Sequence, residues 1–312
     1  MEIIKSPSNK LIKHIKSLYN KKYRDIYKEF IVEGLKITKE ALDSEWEFSV
    51  IVFSEDFCNS KDFSDLKNII DLKNVKTSTV ADELFYKICD TENPQGILAV
   101  MKMPQTQGKP GTAKTSGRLV TAGNPETDES RGNVAGHDLG KYKKLVILDS
   151  LNDPGNMGTI IRTADSFGVD AVITSEDCVD IYNSKTLRAA MGSIFHIPVY
   201  KANIEKVIPD LKNMGYKIYA AHLKGEDLLK GENLLKGGNL LKGESCLGSE
   251  YCLGSKNYEN SPIAIIIGNE ANGIKDNIAS FADKLVKIPM PGRAESLNAS
   301  VAAGILMYEI FL

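Results

Sequence analysis

Three times in the second half of the chain, a short apolar run stops at a cluster of Gly, Pro, Asn or Asp, and a helix-patterned segment follows. Leu145 to Asp170 reads as an apolar strand, a Gly/Pro/Asn loop and a helix with Ile160, Ile161, Ala164 and Phe167 on one side. Ile263 to Gly273 is a five-residue apolar strand that ends at Gly268 and is followed by polar Asn269, Glu270 and Asn272. Lys287 to Leu312 closes the series. There, the strand marked by Leu285, Val286 and Ile288 runs into Pro289, Met290, Pro291 and Gly292, and prolines cannot donate to a sheet ladder. A helix restarts beyond it, with Ser296 in the position expected of an N-cap and Arg293, Glu295 and Asn298 beside it. Continuous apolar strands alternating with helices predict an open parallel α/β sheet, whose ligands bind at the carboxyl ends of the strands.

These stretches resemble the three motifs of the SpoU/TrmH family of RNA ribose 2′-O-methyltransferases. The matching residues are Asn156, Gly158 and Arg162, then Gly268 to Glu270, then Ile288 to Ser300 with Ser296, Leu297 and Asn298. The resemblance covers about the last 170 residues and implies a SPOUT domain, a parallel-sheet α/β fold with a trefoil knot. It also implies S-adenosylmethionine as cofactor and a homodimer formed through the C-terminal domains. On that model Gly268, Asn269, Ile288, Met290 and Leu297 hold the cofactor, and His222 lines the pocket at the end of a strand over Lys217 to Ala221. Arg162, Asn156, Glu270, Ser296 and Asn298 form the catalytic set. Arg162 is either the base or an electrostatic clamp, Glu270 orients Arg162 or binds ribose, and Asn156 orders its loop through bonds to the main chain. Ser296 and Asn298 fix the substrate or Asn156. No metal is required.

The first half reads as a smaller α/β unit, with helices over Glu33 to Ser44, Leu66 to Leu72 and Ala81 to Ile88 and strands over Ser49 to Phe53 and Ile97 to Met101. F-I-V-E-G at Phe30 to Gly34, following N-K-L-I-K and K-K-Y-R, and N-P-Q-G at Asn93 to Gly96 resemble the substrate-binding domain of rRNA members of the family. That domain is similar to small ribosomal RNA-binding proteins. The resemblance assigns RNA choice to this half, with Glu33 and Gln95 as either RNA contacts or local caps.

Net charge is only −2, but its distribution is uneven. From Lys5 to Lys28, seven lysines and Arg24 stand against Asp25, a stripe that attracts phosphates. Lys13, Lys16, Lys21, Lys22 and Arg24 are the candidate RNA contacts, while Leu11, Ile12, Ile15, Leu18 and Tyr19 keep helical spacing for docking.

The expected organisation is therefore an RNA substrate-binding domain over 1–103, a flexible linker over 104–141, and the methyltransferase domain over 142–312. The linker has three prolines, seven glycines and no aromatic residue. A six-residue repeat (K-G-E-D-L-L, K-G-E-N-L-L, K-G-G-N-L-L, K-G-E-S-C-L) forms an insertion at 224–258, read as an expanded loop. Cys58, Cys89, Cys178, Cys246 and Cys252 lack C-x-x-C or metal-ligand spacing, which predicts reduced, structural thiols. MEIIKSPSNK carries no apolar signal region and no stretch is long enough to span a bilayer, so cytoplasm is the expected location. The function expected from the resemblance is methylation of a ribose 2′-hydroxyl in structured, 23S-type ribosomal RNA. A tRNA 2′-O-methyltransferase and a non-catalytic RNA-binding module are the alternatives. A nicotinamide-dependent Rossmann enzyme is set aside, because Pro154 and Asn156 occupy the tight turn where G-x-G-x-x-G would lie.

Overall fold

The structure is a computed structural model that describes residues 3–104, 120–121 (main chain), 139–227 and 261–312. The first unit comprises β1 (Ile3–Ile4), α1 (Lys10–Leu18), α2 (Lys21–Tyr27), β2 (Glu29–Glu33), α3 (Leu35–Asp43), β3 (Phe48–Ser54), α4 (Glu55–Cys58), α5 (Lys61–Leu72), β4 (Thr77–Val80), α6 (Asp82–Tyr86) and β5 (Ile97–Lys102). The second comprises β6 (Val120–Thr121), β7 (Lys144–Leu148), α7 (Pro154–Ser166), β8 (Ala171–Thr174), α8 (Ser184–Ala190), β9 (Val199–Lys201), α9 (Ile204–Asn213), β10 (Lys217–Asp227), β11 (Ile263–Ile267), α10 (Asp276–Ala279), β12 (Lys284–Lys287) and α11 (Ala299–Phe311).

The first sheet is mixed, in the order β1-β4-β3-β5-β2. Its strands alternate strictly between two cores. Ile97, Ala99 and Met101 of β5 face α3, while Leu98 and Val100 face Ile12, Ile15 and Leu18 of α1. The second sheet is parallel throughout, in the order β12-β10-β11-β7-β8-β9-β6. Val146 and Leu148 of β7 and Ile265 and Ile267 of β11 bury against the side of α7, α8 and α11. Leu145, Ile147, Ala264 and Ile266 bury against α9 and α10. Both faces are covered, which is why these strands are apolar along their whole length.

The two units share one core. Phe30 of β2 packs on Tyr182 (ring centroids 4.7 Å apart), and Trp46 packs edge-on against both Phe30 (5.9 Å) and Phe195 (5.2 Å). Beneath this aromatic cluster Arg24 is only 3% exposed. Its guanidinium donates to Asp180 at 3.0 and 2.5 Å and to the carbonyls of Leu18 and Tyr19. Arg24 is therefore not part of the exposed basic stripe. Helix α1 ends at Leu18, Asn20 caps a new helix, and this break rotates Arg24 inward while Lys13, Lys16, Lys21 and Lys22 stay exposed.

Other boundaries also differ from the sequence reading. Glu33 ends β2 instead of starting α3, and its carboxylate accepts hydrogen bonds from Thr91 and the Asp90 amide. Gln95 accepts from the Leu35 amide at 2.7 Å and so caps α3 from a distance of sixty residues. Within the stretch read as linker, Val120–Thr121 pairs in parallel with β9, and Leu139 is buried beside a short 3₁₀ turn. The repeat lies outside the described residues beyond Asp227, and its first residues, Lys224 to Asp227, continue β10. Cys58, Cys89 and Cys178 are free thiols, whereas Cys246 and Cys252 lie outside the described residues. Among the described residues no helix is long and apolar enough to cross a membrane, and no acidic, His and Cys cluster could hold a metal.

Removing one partner of a buried ion pair leaves the other charge stranded. Arg24→Ala and Asp180→Ala should each cost about 3–5 kcal/mol in denaturant unfolding. The double variant should cost far less than the sum, and fully additive losses would show that the pair does not act as one.

Candidate active site

The strand order places the carboxyl ends of β12, β10, β11 and β7 side by side, so the loops leaving them converge. After β7 the chain passes through Asp149, which is fully buried, and Ser150, a non-glycine residue at φ +56°. Helix α7 then begins at Pro154, where a missing N–H costs nothing. Asp153 caps it, accepting from the Asn156 amide at 2.8 Å, and sits 3.4 Å from Lys185 of α8. Burial pushes the Asp153 carboxyl up less than its bonds lower it, foremost that from Asn156, so its pKa lies below the usual carboxylate value.

Asn156 is thus inside the helix, not in the loop, and its side chain reaches across the fold instead of to nearby main chain. It is 8% exposed. Its Nδ2 donates to Glu270 Oε1 at 3.0 Å, and its Oδ1 accepts from Asn298 Nδ2 at 2.8 Å. A carboxylate can only accept, which fixes the orientation of the Asn156 amide. Glu270 also accepts from the amides of Asn152 (3.3 Å) and Asp153 (3.1 Å). All three motif loops therefore meet at one side-chain amide.

Gly158, one turn along α7, faces α8 so closely that a Cβ would lie 2.3 Å from the Thr186 carbonyl oxygen. Any side chain there would push the two helices apart. Gly268 is constrained in the same way, since a Cβ would lie 2.2 Å from the Gly273 carbonyl carbon. The space beside Gly268 is filled by its own turn. That turn is closed by reciprocal Asn269 and Gly273 main-chain bonds of 2.9 and 3.0 Å. Asn269 Oδ1 accepts from Ala271 and Asn272, and Nδ2 donates to the Ser150 carbonyl at 2.7 Å, tying this loop to the β7 loop. Asp149, which the sequence reading did not single out, repeats the tie by accepting from the Lys275 amide at 2.9 Å.

The predicted cap at Ser296 is displaced by two residues. Asn298 caps α11, accepting from the amides of Ser300 (2.9 Å) and Val301 (3.3 Å), and Ser296 stays exposed in the loop. Arg162 is also exposed, six residues and ~240° around the helix from Asn156. The anticipated Glu270–Arg162 fork does not form; the Glu270 oxygens accept from Asn152, Asp153 and Asn156 instead. Among the described residues, the Arg162 guanidinium has no acidic partner.

Ile288, Met290 and Leu297 are half-buried. Among the described residues, the main chain from Ile288 to Leu297 makes no hydrogen bond to another protein group, so its polar edges are free for a ligand or water. His222 is half-buried in the bulge where β10 shifts register against β12, and its Nδ1 accepts from the Lys224 amide at 3.1 Å.

A family model described as the SpoU rRNA methylase family matches residues 143–308. The chain belongs to the SpoU rRNA methylase family. A model of the MRM3-like substrate binding domain matches residues 9–99 of this SpoU protein. The 23S rRNA (guanosine(2553)-2′-O)-methyltransferase RlmP of Bacillus subtilis is 30% identical over 310 residues, 99% of each chain. The crystal structure of an AdoMet-bound rRNA methyltransferase from Sinorhizobium meliloti superposes with a TM-score of 0.72 at 26% identity, covering 99% of this chain and 96% of that one. The SpoU methyltransferase AviRb of Streptomyces viridochromogenes shares the fold, with a TM-score of 0.68 at 22% identity and 96% of each chain covered.

Partial burial pushes the Glu270 pKa up, but hydrogen bonds from the Asn156 side chain and the loop amides outweigh it and hold the carboxyl below its ordinary 4.5. The native state therefore gains stability from this group above pH 4.5 and loses it as pH falls through the depressed value. Glu270→Gln should melt lower than wild type at neutral pH, and the gap should close in strongly acidic buffer. Calorimetric scans that show the same gap at both extremes would mean that the carboxylate charge does not hold the loops.

Proposed function

We propose that this chain transfers a methyl group from S-adenosylmethionine to a ribose 2′-hydroxyl of 23S rRNA. The observation that carries the reading is the junction in which Asn298 donates to Asn156, Asn156 donates to Glu270, and Glu270 accepts from the Asn152 and Asp153 amides. It holds three loops at the carboxyl edge of a parallel sheet, where an in-line transfer needs its reactants positioned.

The residues present suit the cofactor. Half-buried Ile288, Met290 and Leu297 offer apolar surface, and the unpaired main chain beside them offers donors and acceptors for a purine edge and a ribose. Gly268 and Asn269, just past the end of β11, and His222, in the bulge of β10, complete the proposed wall. S-adenosylmethionine supplies an electrophilic methyl group when bound. The part proposed for Arg162 is electrostatic: its guanidinium holds a phosphate of the RNA and stabilises negative charge developing on the ribose oxygen. Asn156 and Asn298 position the loops, Glu270 fixes the Asn156 amide, and exposed Ser296 is available to the substrate.

The reading extends to a homodimer and a knotted chain. Helix α11 leaves Val301, Tyr308 and Leu312 exposed, an apolar face suited to a second copy. The chain leaves β12 at the sheet edge and reaches Asn156 beside β7 only by crossing the ends of β10 and β11, a course suited to the knot. A cytoplasmic location is part of the same proposal.

Arg162→Ala should lower methyl transfer by about 100-fold or more while leaving cofactor affinity unchanged. Undiminished turnover would remove Arg162 from the mechanism. In a strain lacking the protein, ribose-methylation mapping of 23S rRNA should show one missing mark. The guanosine equivalent to the one named for the Bacillus relative is the first position to inspect. A complete set of marks would contradict the proposed substrate.

A further inference from the structure

Helix α2 turns Arg24 inward and leaves Tyr23, Ile26 and Tyr27 38%, 59% and 48% exposed. Three large apolar side chains on a seven-residue helix are costly in water unless something covers them. The two tyrosines are braced. Their spacing of four residues sets them on one stripe, and their rings lie 14° from parallel with centroids 6.3 Å apart. Behind Tyr27, the His14 ring packs edge-on at 4.8 Å. His14 is fixed in turn by a 2.6 Å bond to Glu29, which also accepts from Ser49 Oγ. Two near-parallel rings are thus held out from α2, with Tyr27 braced by His14 of α1, which Glu29 ties to the first sheet. On the same two-helix segment Lys13 and Lys16 of α1, Lys22 of α2 and Lys28 at its end are also exposed, as is Lys21, which pairs with Asp25 at 2.8 Å.

We propose that Tyr23 and Tyr27 form a stacking platform for an unpaired RNA base, with the lysines of that segment on the adjoining phosphates. The proposal rests on the RNA-methylating function above and names the kind of RNA element that function selects. Unpaired RNA presents both a π-face and a phosphate track, and the patch has a counterpart for each. A second copy of the chain would instead set lysine stripe against lysine stripe. Duplex RNA keeps its bases inside the stack and could use only the lysines.

The platform also has a fixed place relative to the active site. On the buried side of the same helix Arg24 binds Asp180, and the Val179 amide next to it donates to the Leu151 carbonyl at 2.8 Å. The next two residues, Asn152 and Asp153, are those held by Glu270. An unpaired base on Tyr23 and Tyr27 would therefore set which ribose arrives at the methyl-transfer site.

The test measures binding of the full-length protein to an unmodified 23S rRNA transcript and to a fully paired RNA duplex across a salt series. Y23A/Y27A should weaken binding to the transcript by ~10- to 100-fold while leaving duplex binding and the salt slope unchanged. Y23F/Y27F should bind like wild type, whereas K13E/K16E/K22E should weaken binding to both RNAs and flatten the slope. Wild-type affinity in Y23A/Y27A, or in Y23L/Y27L where apolar bulk remains without a ring face, would overturn the platform. A change in sedimenting mass with RNA affinity unchanged would also overturn it, by making the patch a protein interface. Methyl transfer to the transcript by the wild type separates the two failures. Absence of transfer removes the proposed function, whereas transfer accompanied by an indifferent Y23A/Y27A variant removes only the platform.

Discussion

The Asn156 amide has one donating and one accepting side, and the fold uses both. Glu270 takes the donor and Asn298 supplies the donor for the acceptor. These partners come from loops 114 and 142 residues away in sequence, so one short side chain holds together the exits of β7, β11 and β12. Burial of Asn156 raises the worth of its two bonds and the cost of breaking them. The glycines of the same motifs serve close packing: Gly158 lets α7 settle on α8, and Gly268 leaves room for its own turn.

The same helix pair carries the junction to the first domain. Helix α8 packs on α7 through Gly158 and meets the first unit through Arg188 and Ser184, both bonded to Asp90. The Asp180 loop just before it receives Arg24. With Phe30, Trp46, Tyr182 and Phe195 packed into one aromatic cluster, the first unit is set against the SpoU unit by a shared core. A shared core holds two units at a fixed relation where a flexible tether would let them drift. That is the physical requirement for a protein that must choose one ribose among many.

The strands were legible because burial on both faces leaves an unbroken apolar run. Ile263–Ile267 was readable to the residue, and the apolar run from Leu145 marked β7, which begins one residue earlier at Lys144. The motif residues were legible as a set, but their contacts were not. Glu270 looked like a partner for Arg162, yet its oxygens go to Asn156 and two loop amides, a choice made by tertiary geometry and not by charge. Ser296 and Asn298 are both good capping residues, and only the path of the loop decides for Asn298. Arg24 misled for a related reason: a charge stripe is read by residue type, whereas the break at Asn20 resets which side of the helix faces the core. Asp149 and Asp180 carried no local signal, since each is recognisable only from a partner far along the chain.

We propose that Asn156 and Asn298 act as one unit in organising the methyl-transfer site. The most direct measurement is a double-mutant cycle on the single-turnover rate of methyl transfer to 23S rRNA, using Asn156→Ala, Asn298→Ala and both together. The account predicts that the double variant is scarcely slower than the worse single variant, because either change already breaks the junction. Losses that multiply independently would contradict it and leave the two asparagines as separate contributors.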